Sequence, residues 1–177
     1  MIEKLVFPSD DGTLYDLCAE LVALAGERGV TLGCAESCTG GLVSGSLTAV
    51  SGSSAVVRGG VVSYAIPVKR EVLGVAPAIL DDPRLGAVSS ECASQMAEGA
   101  RRVLNCDVAV SVTGIAGPGG EEPGKPVGTV WFGLATSQET RTSLNHFDGD
   151  RAHVRYQAVL RALELLREGV METGARP

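Results

Sequence analysis

The sequence predicts an α/β protein in which helices cover both faces of a mixed β-sheet. Helical and strand-like apolar patterns alternate along most of the chain, and the composition is 45% hydrophobic with 23 glycines, which suits close packing and tight turns. Alternation implies parallel strands, because a parallel pair needs a long crossover connection. Two late strands are separated only by a short connection near Gln138 and Glu139, which implies a hairpin and makes the sheet mixed.

The elements of the first half follow from the spacing of apolar residues. Leucines recur at helical intervals over residues 13–29 and predict a first helix. Residues 30–35 are apolar and partly β-branched, so they predict a buried strand. A second helix is predicted at 42–50 and a strand at 56–64, after which Pro67 is expected to open a short helix at its first position.

The second half adds two helices and three strands. A helix is predicted to begin at residues 89–91 and to continue to Leu104, with its apolar side chains on one face. The last helix is predicted from about Arg151 and carries an apolar stripe as far as Val170. Three strands lie between these helices, at 107–113, at 129–136 and, as an edge strand, at 141–147.

Charge and composition exclude several classes of protein. Fifteen Lys and Arg residues against 21 Asp and Glu residues give a formal net charge of −6, and no basic stripe is present, so no nucleic-acid partner is expected. No apolar run reaches the length of a membrane span, and residues 1–8 lack the pattern of a secretory signal. We therefore expect a cytoplasmic protein without a membrane partner, folded as one domain over residues 1–177.

The cysteines indicate reduced thiols rather than disulfides or a metal centre. There are five of them, an odd number, and no two are spaced as Cys-x-x-Cys. Cys34 and Cys38 could bind zinc only if other ligands joined them, and the whole chain has two histidines. No metal site is expected.

The segment 35–41, Ala-Glu-Ser-Cys-Thr-Gly-Gly, is the most informative turn in the sequence. It joins a predicted strand to a predicted helix, so the hydroxyl of Ser37 stands at the carboxyl end of a strand, beside the free N–H groups of the next helix. This position offers a nucleophile together with donors for a developing oxyanion. The alternative is that Ser37 is only the N-cap of that helix, which is the ordinary role of a serine there.

A second candidate is the glycine-rich loop at 114–128, which also follows a strand. Residues 119–125 nearly spell the P-loop pattern G-x-x-x-x-G-K, but Pro126 stands where Ser or Thr must bind magnesium, and a strand follows instead of a helix. The P-loop interpretation therefore fails. The loop either lets the backbone approach a ligand closely or is a flexible connection.

A serine nucleophile needs a base, and the nucleophile-elbow pattern G-x-S-x-G is absent around Ser37. His146 and His153 are both expected at the surface. Lys69 follows a strand and has apolar neighbours, so it is the lysine that could be desolvated enough to act as a neutral base. Spacing alone does not show that Lys69 meets Ser37.

Seven motifs occur in an order that closely resembles the CinA C-terminal domain family. They begin with the segment 35–41, and the resemblance covers about residues 13–168. The other six motifs are Gly52-Ser53-Ser54-Ala55, Gly74-Val75, Gly86-Ala87-Val88-Ser89, Val112-Thr113-Gly114-Ile115-Ala116-Gly117-Pro118, Lys125-Pro126-Val127-Gly128-Thr129-Val130-Trp131 and Gly149-Asp150-Arg151.

This resemblance implies a three-layer α/β/α sandwich around a mixed, mostly parallel five-stranded sheet. It also implies hydrolysis of the carboxamide of nicotinamide mononucleotide to nicotinate mononucleotide and ammonia, in pyridine nucleotide salvage and without a metal or organic cofactor. The implied partners are this small nucleotide substrate and a second copy of the chain in a homodimer. Members of the family are often named for competence or damage induction.

The same resemblance assigns roles within the segment 35–41 and at Lys69. It places the nucleophile on Ser37 and the general base on Lys69, and backbone N–H groups around Cys38, Thr39 and Gly40 would hold the oxyanion. Neutral Lys69 would accept the Ser37 proton and later protonate the departing ammonia.

Tyr64, Thr113 and Arg151 fall on further positions of the family's pocket. Arg151 would bind the phosphate of the ligand or lower the pKa of Lys69, and the alternative is a surface arginine that caps the last helix. The chain departs from many relatives at 65–68, where Ala-Ile-Pro-Val replaces a polar stretch that could orient the substrate. Two other functions therefore stay open: a nucleotide-binding regulatory module without turnover, and an amidase acting on a different small amide.

Overall fold

The structure is a computed structural model that describes residues 12–173. Residues 1–8 and both ends of the predicted domain 1–177 lie outside the described residues, so the domain boundaries stay a prediction. Within 12–173, no helix combines the length and the apolar character needed to cross a membrane. In chain order the elements are α1 (Thr13–Arg28), β1 (Leu32–Glu36), α2 (Leu42–Thr48), a 3-10 turn (Ser53–Ala55), β2 (Val57–Val62), α3 (Ile66–Glu71), α4 (Pro77–Leu80), α5 (Ser90–Leu104), β3 (Val108–Gly114), β4 (Thr129–Ala135), β5 (Thr140–His146) and α6 (Arg151–Glu172).

The strands form one sheet in the order β2-β1-β3-β4-β5. β1 pairs in parallel with both β2 and β3, whereas β4 is antiparallel to β3 and to β5. β1 is buried along its whole length, while burial alternates along the edge strand β2. The predicted mixed sheet, with its late hairpin, is therefore confirmed.

Helices cover both faces of this sheet. α1, α2 and α6 pack on one face and enclose the larger apolar core, which contains Leu21, Phe132 and Leu163. α5 covers the other face, where Met96 packs in a smaller apolar cluster with Ala109 of β3. This arrangement is the predicted three-layer α/β/α sandwich.

The predicted boundaries lie close to the observed ones, with three informative differences. α3 begins at Ile66, so Pro67 occupies the second helical position rather than the first. α4 was not predicted, because a four-residue helix is too short to show helical periodicity. β1 extends through Glu36, which places a fully buried carboxylate at the carboxyl end of the strand.

The topology opens a crevice beyond the carboxyl ends of β1 and β2. The chain leaves β1 toward α2 on one face of the sheet and leaves β2 toward α5 on the opposite face. Because these two connections diverge, the ends of the neighbouring parallel strands stay uncovered. Open α/β sheets bind their ligands at such a switch point.

Candidate active site

Ser37 is the first residue after β1 and stands in this crevice. Its backbone N–H donates to the carbonyl of Val112 on β3 at 2.9 Å, so its main chain is still held by the sheet. Its side chain is half-buried and lines a cleft of about 280 Å³. The hydroxyl is therefore fixed by a rigid strand end while it faces an open cavity.

The N-terminus of α2 is capped by Glu36 and not by Ser37. The buried Glu36 carboxylate accepts the N–H groups of Gly41 at 2.9 Å and of Val43 at 3.1 Å. It also accepts both the N–H and the hydroxyl of Ser44, each at 2.9 Å. Gly41 has a φ of 97°, a left-handed conformation that favours glycine and lets the turn fold back over the carboxylate. The N-cap alternative for Ser37 is thus wrong, and its hydroxyl is available for chemistry.

Lys69 reaches the same point from α3. Its side chain is 1% exposed, and its Nζ lies 2.9 Å from the Oγ of Ser37. Nζ also donates a short hydrogen bond to the carbonyl of Ser63, the residue that follows β2. Burial lowers the pKa of Lys69 from its usual value, and the nearby thiols of Cys92 and Cys38 oppose this shift. No carboxylate among residues 12–173 pairs with the amine, so no counter-charge holds its proton.

Cys38 is the other side chain of this turn that could act as a nucleophile. It lines the cleft beside Ser37, but burial raises the pKa of its thiol to about 11. The thiolate is the reactive form of cysteine. The Cys38 thiol therefore stays protonated near neutral pH, whereas the Ser37 hydroxyl has the Lys69 amine within hydrogen-bond distance.

The N–H groups predicted to hold the oxyanion are not equally available. The N–H of Gly40 donates to the carbonyl of Ser37 at 3.1 Å and is already used. The N–H groups of Cys38 and Thr39 donate to no other residue of the described chain. Thr39 is fully buried, and its hydroxyl has no partner among residues 12–173 either. The N–H groups of Cys38 and Thr39 are therefore the two in this turn without an acceptor on another described residue, and their oxyanion role stays a prediction.

Tyr64 and Thr113 line the same cleft. Tyr64 is 65% exposed and stands at the mouth of the cleft. Thr113 is buried on β3, and its hydroxyl donates to the carbonyl of Ala87 at 2.7 Å. Thr113 therefore ties the segment before α5 to the sheet, while the Tyr64 ring is open to a ligand.

Arg151 also lines the cleft, from the N-terminus of α6. Its Nη1 donates to the carbonyl of Gly117 at 3.0 Å, so it supports the glycine-rich loop. Burial lowers the pKa of Lys69, the thiols of Cys92 and Cys38 oppose this shift, and Arg151 is not among its causes. The side chain of Asp150 caps α6, which excludes the capping alternative for Arg151. Arg151 is exposed, and binding of the phosphate of a ligand by its guanidinium stays a prediction.

The glycine-rich loop forms the far wall of the cleft through residues that include Gly117, Gly120 and Glu122. Lys125 anchors it, because its Nζ donates to the carbonyl of Leu85 at 2.7 Å and to the Glu122 carboxylate at 2.8 Å. The loop therefore lies against the candidate site, which favours a close approach of its backbone to a ligand.

Sequence reasoning missed two residues that shape this site, Glu36 and Arg155. Arg155 lies on α6, and its guanidinium donates to the carbonyls of Cys38 at 3.1 Å and Thr39 at 2.9 Å. Its position four residues after Arg151, on the same side of a predicted helix, was the available signal. That signal could not show that α6 packs beside the turn.

The histidines and cysteines do not form a second site within the described part of the chain. His146 and His153 are exposed, as predicted, and His153 Nδ1 lies 2.9 Å from the Asp150 carboxylate. The five cysteines, all within residues 12–173, are buried and form no disulfide. Within residues 12–173, no three His, Cys, Asp or Glu side chains are grouped as metal ligands would be.

Comparison with known proteins shows the family of the chain. The sequence profile of the CinA C-terminal domain matches residues 14–170. The chain is 45% identical over 157 residues to the nicotinamide-nucleotide amidohydrolase PncC of Enterobacter agglomerans, which covers 88% of this chain and 94% of that protein. It is 48% identical over 162 residues to a CinA-like protein of Anaeromyxobacter dehalogenans, which covers 92% of this chain. The chain spans between 38% and 40% of the length of that protein and of other curated relatives.

A solved structure shows the same fold. The competence/damage inducible protein CihA from Agrobacterium tumefaciens superposes with a TM-score of 0.85 at 39% sequence identity, covering 93% of this chain and 98% of that one. Ser37 and Lys69 both lie inside the range that the family profile matches. The matched range therefore spans all the strands and helices from β1 to β5.

Proposed function

Because the chain belongs to the CinA C-terminal domain family, we propose that it is a nicotinamide-nucleotide amidohydrolase. It would convert nicotinamide mononucleotide to nicotinate mononucleotide and ammonia, in pyridine nucleotide salvage. The observation that carries this proposal is the 2.9 Å separation between Ser37 Oγ and the buried amine of Lys69. The Enterobacter agglomerans relative supports the substrate class. A homodimer and a cytoplasmic location stay predictions.

Acylation begins with the neutral amine of Lys69. One of its N–H groups donates to the Ser63 carbonyl, so the lone pair can accept the proton of the Ser37 hydroxyl. As Oγ bonds to the carboxamide carbon, that proton moves to Nζ and the carbonyl oxygen becomes an oxyanion. The N–H groups of Cys38 and Thr39 stabilise this charge.

The buried ammonium then solves the leaving-group problem of amide cleavage. Lys69 returns its proton to the amide nitrogen, the C–N bond breaks, and ammonia leaves an ester between the acyl group and Ser37. A water molecule attacks this ester, gives its proton to Lys69, and the proton passes back to Oγ as the acid is released. Each step conserves protons, so the two side chains are regenerated.

Two side chains of the cleft, Arg151 and Tyr64, suit the phosphate and the pyridine ring of nicotinamide mononucleotide. Arg151 lies on the wall, where its guanidinium can pair with a phosphate. The exposed ring of Tyr64 offers an aromatic surface at the mouth, where a pyridine ring can stack. The proposed substrate presents a carboxamide, an aromatic ring and a phosphate in one molecule.

The direct test measures ammonia release from nicotinamide mononucleotide by the purified protein and by the Ser37→Ala variant. We expect the variant to lose at least about a thousandfold in kcat/KM, because the nucleophile is removed. Ser54→Ala, at an exposed serine, serves as the matched control and should keep full activity. Unchanged release by Ser37→Ala would contradict the mechanism. Tight binding of the mononucleotide without turnover would favour a regulatory module instead.

A second candidate is an amidase that acts on a different small amide, and Ile66 favours it. Ile66 lines the cleft close to Tyr64, within the apolar stretch 65–68. An apolar side chain offers no hydrogen bond to a ribose hydroxyl. A panel of carboxamides with and without the ribose phosphate separates the two candidates through their kcat/KM values.

A further inference from the structure

Arg155 clamps the turn that follows the proposed nucleophile. From α6, its Nε donates to the carbonyl of Cys38 at 3.1 Å and its Nη2 donates to the carbonyl of Thr39 at 2.9 Å. These carbonyls belong to consecutive peptide groups, and a planar guanidinium holds both in one fixed geometry. No carboxylate among residues 12–173 pairs with Arg155, so its polar contacts are directed to this turn.

The two clamped peptide groups differ at their N–H ends. Both are trans, so each N–H points away from its carbonyl and therefore away from Arg155. In the Thr39–Gly40 peptide, the Gly40 N–H donates to the Ser37 carbonyl, which holds that group at both ends. In the Cys38–Thr39 peptide, the Thr39 N–H donates to no other described residue. Arg155 thus fixes the direction of an unused donor two residues from the Ser37 hydroxyl.

The charge of Arg155 adds to this positioning. A hydrogen bond from a cation to a carbonyl polarises the whole peptide group, which strengthens the N–H at its other end as a donor. A donor that is already oriented costs no reorganisation when negative charge develops in the transition state. Position and polarisation act on the same N–H group.

We propose that Arg155 is a positioning residue for oxyanion stabilisation. It holds and polarises the Cys38–Thr39 peptide so that the Thr39 N–H receives the oxyanion formed when Ser37 attacks. This inference rests on the proposed Ser37 and Lys69 mechanism, but not on the identity of the amide substrate. Arg155 itself touches neither the substrate nor the reacting atoms.

The test uses a fluorophosphonate probe, because its reaction with a serine needs the nucleophile and the oxyanion donors but no nicotinamide ring. Ser37 Oγ bonds to phosphorus, fluoride leaves, and the serine proton passes to Lys69. Intact-protein mass spectrometry follows the rate of labelling. We expect Arg155→Met to label about 10-fold to 100-fold more slowly than the wild type, since a misoriented donor loses part of the stabilisation that a full oxyanion donor supplies. Arg161→Met, on the same helix, should label at the wild-type rate.

The pH profile of labelling separates positioning from a general loosening of the site. Arg155 and Lys69 share no hydrogen bond. The rise of the labelling rate with pH should therefore keep its midpoint, while the plateau rate falls. If Arg155→Met fails to fold, Arg155→Lys decides, with an expected slowing of severalfold at an unchanged midpoint. A folded variant that is labelled as fast as the wild type would overturn the inference. A lower plateau rate together with a shifted midpoint pH would overturn it as well. A wild-type protein that is not labelled at Ser37 would overturn the proposed mechanism itself.

Discussion

The carboxylate of Glu36 accepts both the backbone N–H and the hydroxyl of Ser44, each at 2.9 Å. A buried side chain from the end of β1 thereby satisfies the first turn of α2, a task that a serine at the turn would ordinarily perform. Glu36 directly precedes Ser37, so the two neighbouring residues divide the work. One holds the helix, and the other presents its hydroxyl to the cleft.

Replacing Glu36 with Gln should destabilise the fold. The amide has only one acceptor oxygen, and its N–H₂ group would face N–H donors of the α2 turn. At least one buried N–H would then lose its acceptor, which should lower the free energy of unfolding by about 1–3 kcal/mol. Urea unfolding measures this loss. Glu139→Gln, at an exposed carboxylate, is the matched control and should change stability by no more than about 0.5 kcal/mol. Equal effects of the two substitutions would show that Glu36 does not support the turn.

The rate of the proposed reaction should rise with pH. Burial lowers the pKa of Lys69, and only the neutral amine accepts the Ser37 proton, so kcat/KM should climb along a limb whose midpoint lies below 10.5. Lys69→Met should lose this limb together with at least about a thousandfold in kcat/KM. Lys69→Arg keeps a positive charge but cannot lose its proton, so it should be equally inactive. Activity of the Arg variant near the wild-type level would exclude Lys69 as the base.

The same amine should make stability depend on pH. Its pKa is lower in the folded protein than in the unfolded chain, so between these two values the unfolded state binds more protons and the free energy of unfolding rises with pH. The destabilising cost is complete below the folded pKa and disappears above about 10.4, the unfolded value. We therefore compare the free energies of unfolding of Lys69→Met and the wild type. The difference in favour of Lys69→Met should be larger at neutral pH than at pH values approaching about 10.4. Parallel urea titrations across this range measure the difference, and a constant difference would contradict the burial of a charged amine.

Two helical glycines should respond to alanine in opposite directions. Gly45, in the middle of α2, is exposed, and an added methyl group would meet nothing within 4 Å. Gly45→Ala should stabilise the protein by about 0.5–1 kcal/mol through helix propensity. On α5, a methyl group at Gly99 would overlap the backbone carbonyl of Leu73, so Gly99→Ala should destabilise by about 1–3 kcal/mol. Melting temperatures of the two variants test the pair, and shifts of the same sign would contradict the packing described for α5.

The fold was predictable because its signals are local. β1 and β3 are short apolar runs between turn residues, and α5 and α6 show their apolar stripes at helical spacing. The four-residue α4 escaped prediction because no periodicity exists at that length. At the site, Ser37 was identifiable because a hydroxyl in the turn between a strand and a helix lies beside the free N–H groups of that helix. Glu36 did not, because a charged residue in an apolar strand shows its purpose only when its hydrogen-bond partners are known.

The sequence by itself determined the order of elements, the mixed sheet and the chemical types present at the carboxyl ends of the strands. Tertiary structure alone decided which of those groups meet. Ser37 and Lys69 are 32 positions apart, and Arg155 is 117 positions from Cys38, so neither contact leaves a trace in the periodicity of either segment. Periodicity records which face of one element is apolar, whereas these contacts depend on how separate elements pack around the crevice between β1 and β2.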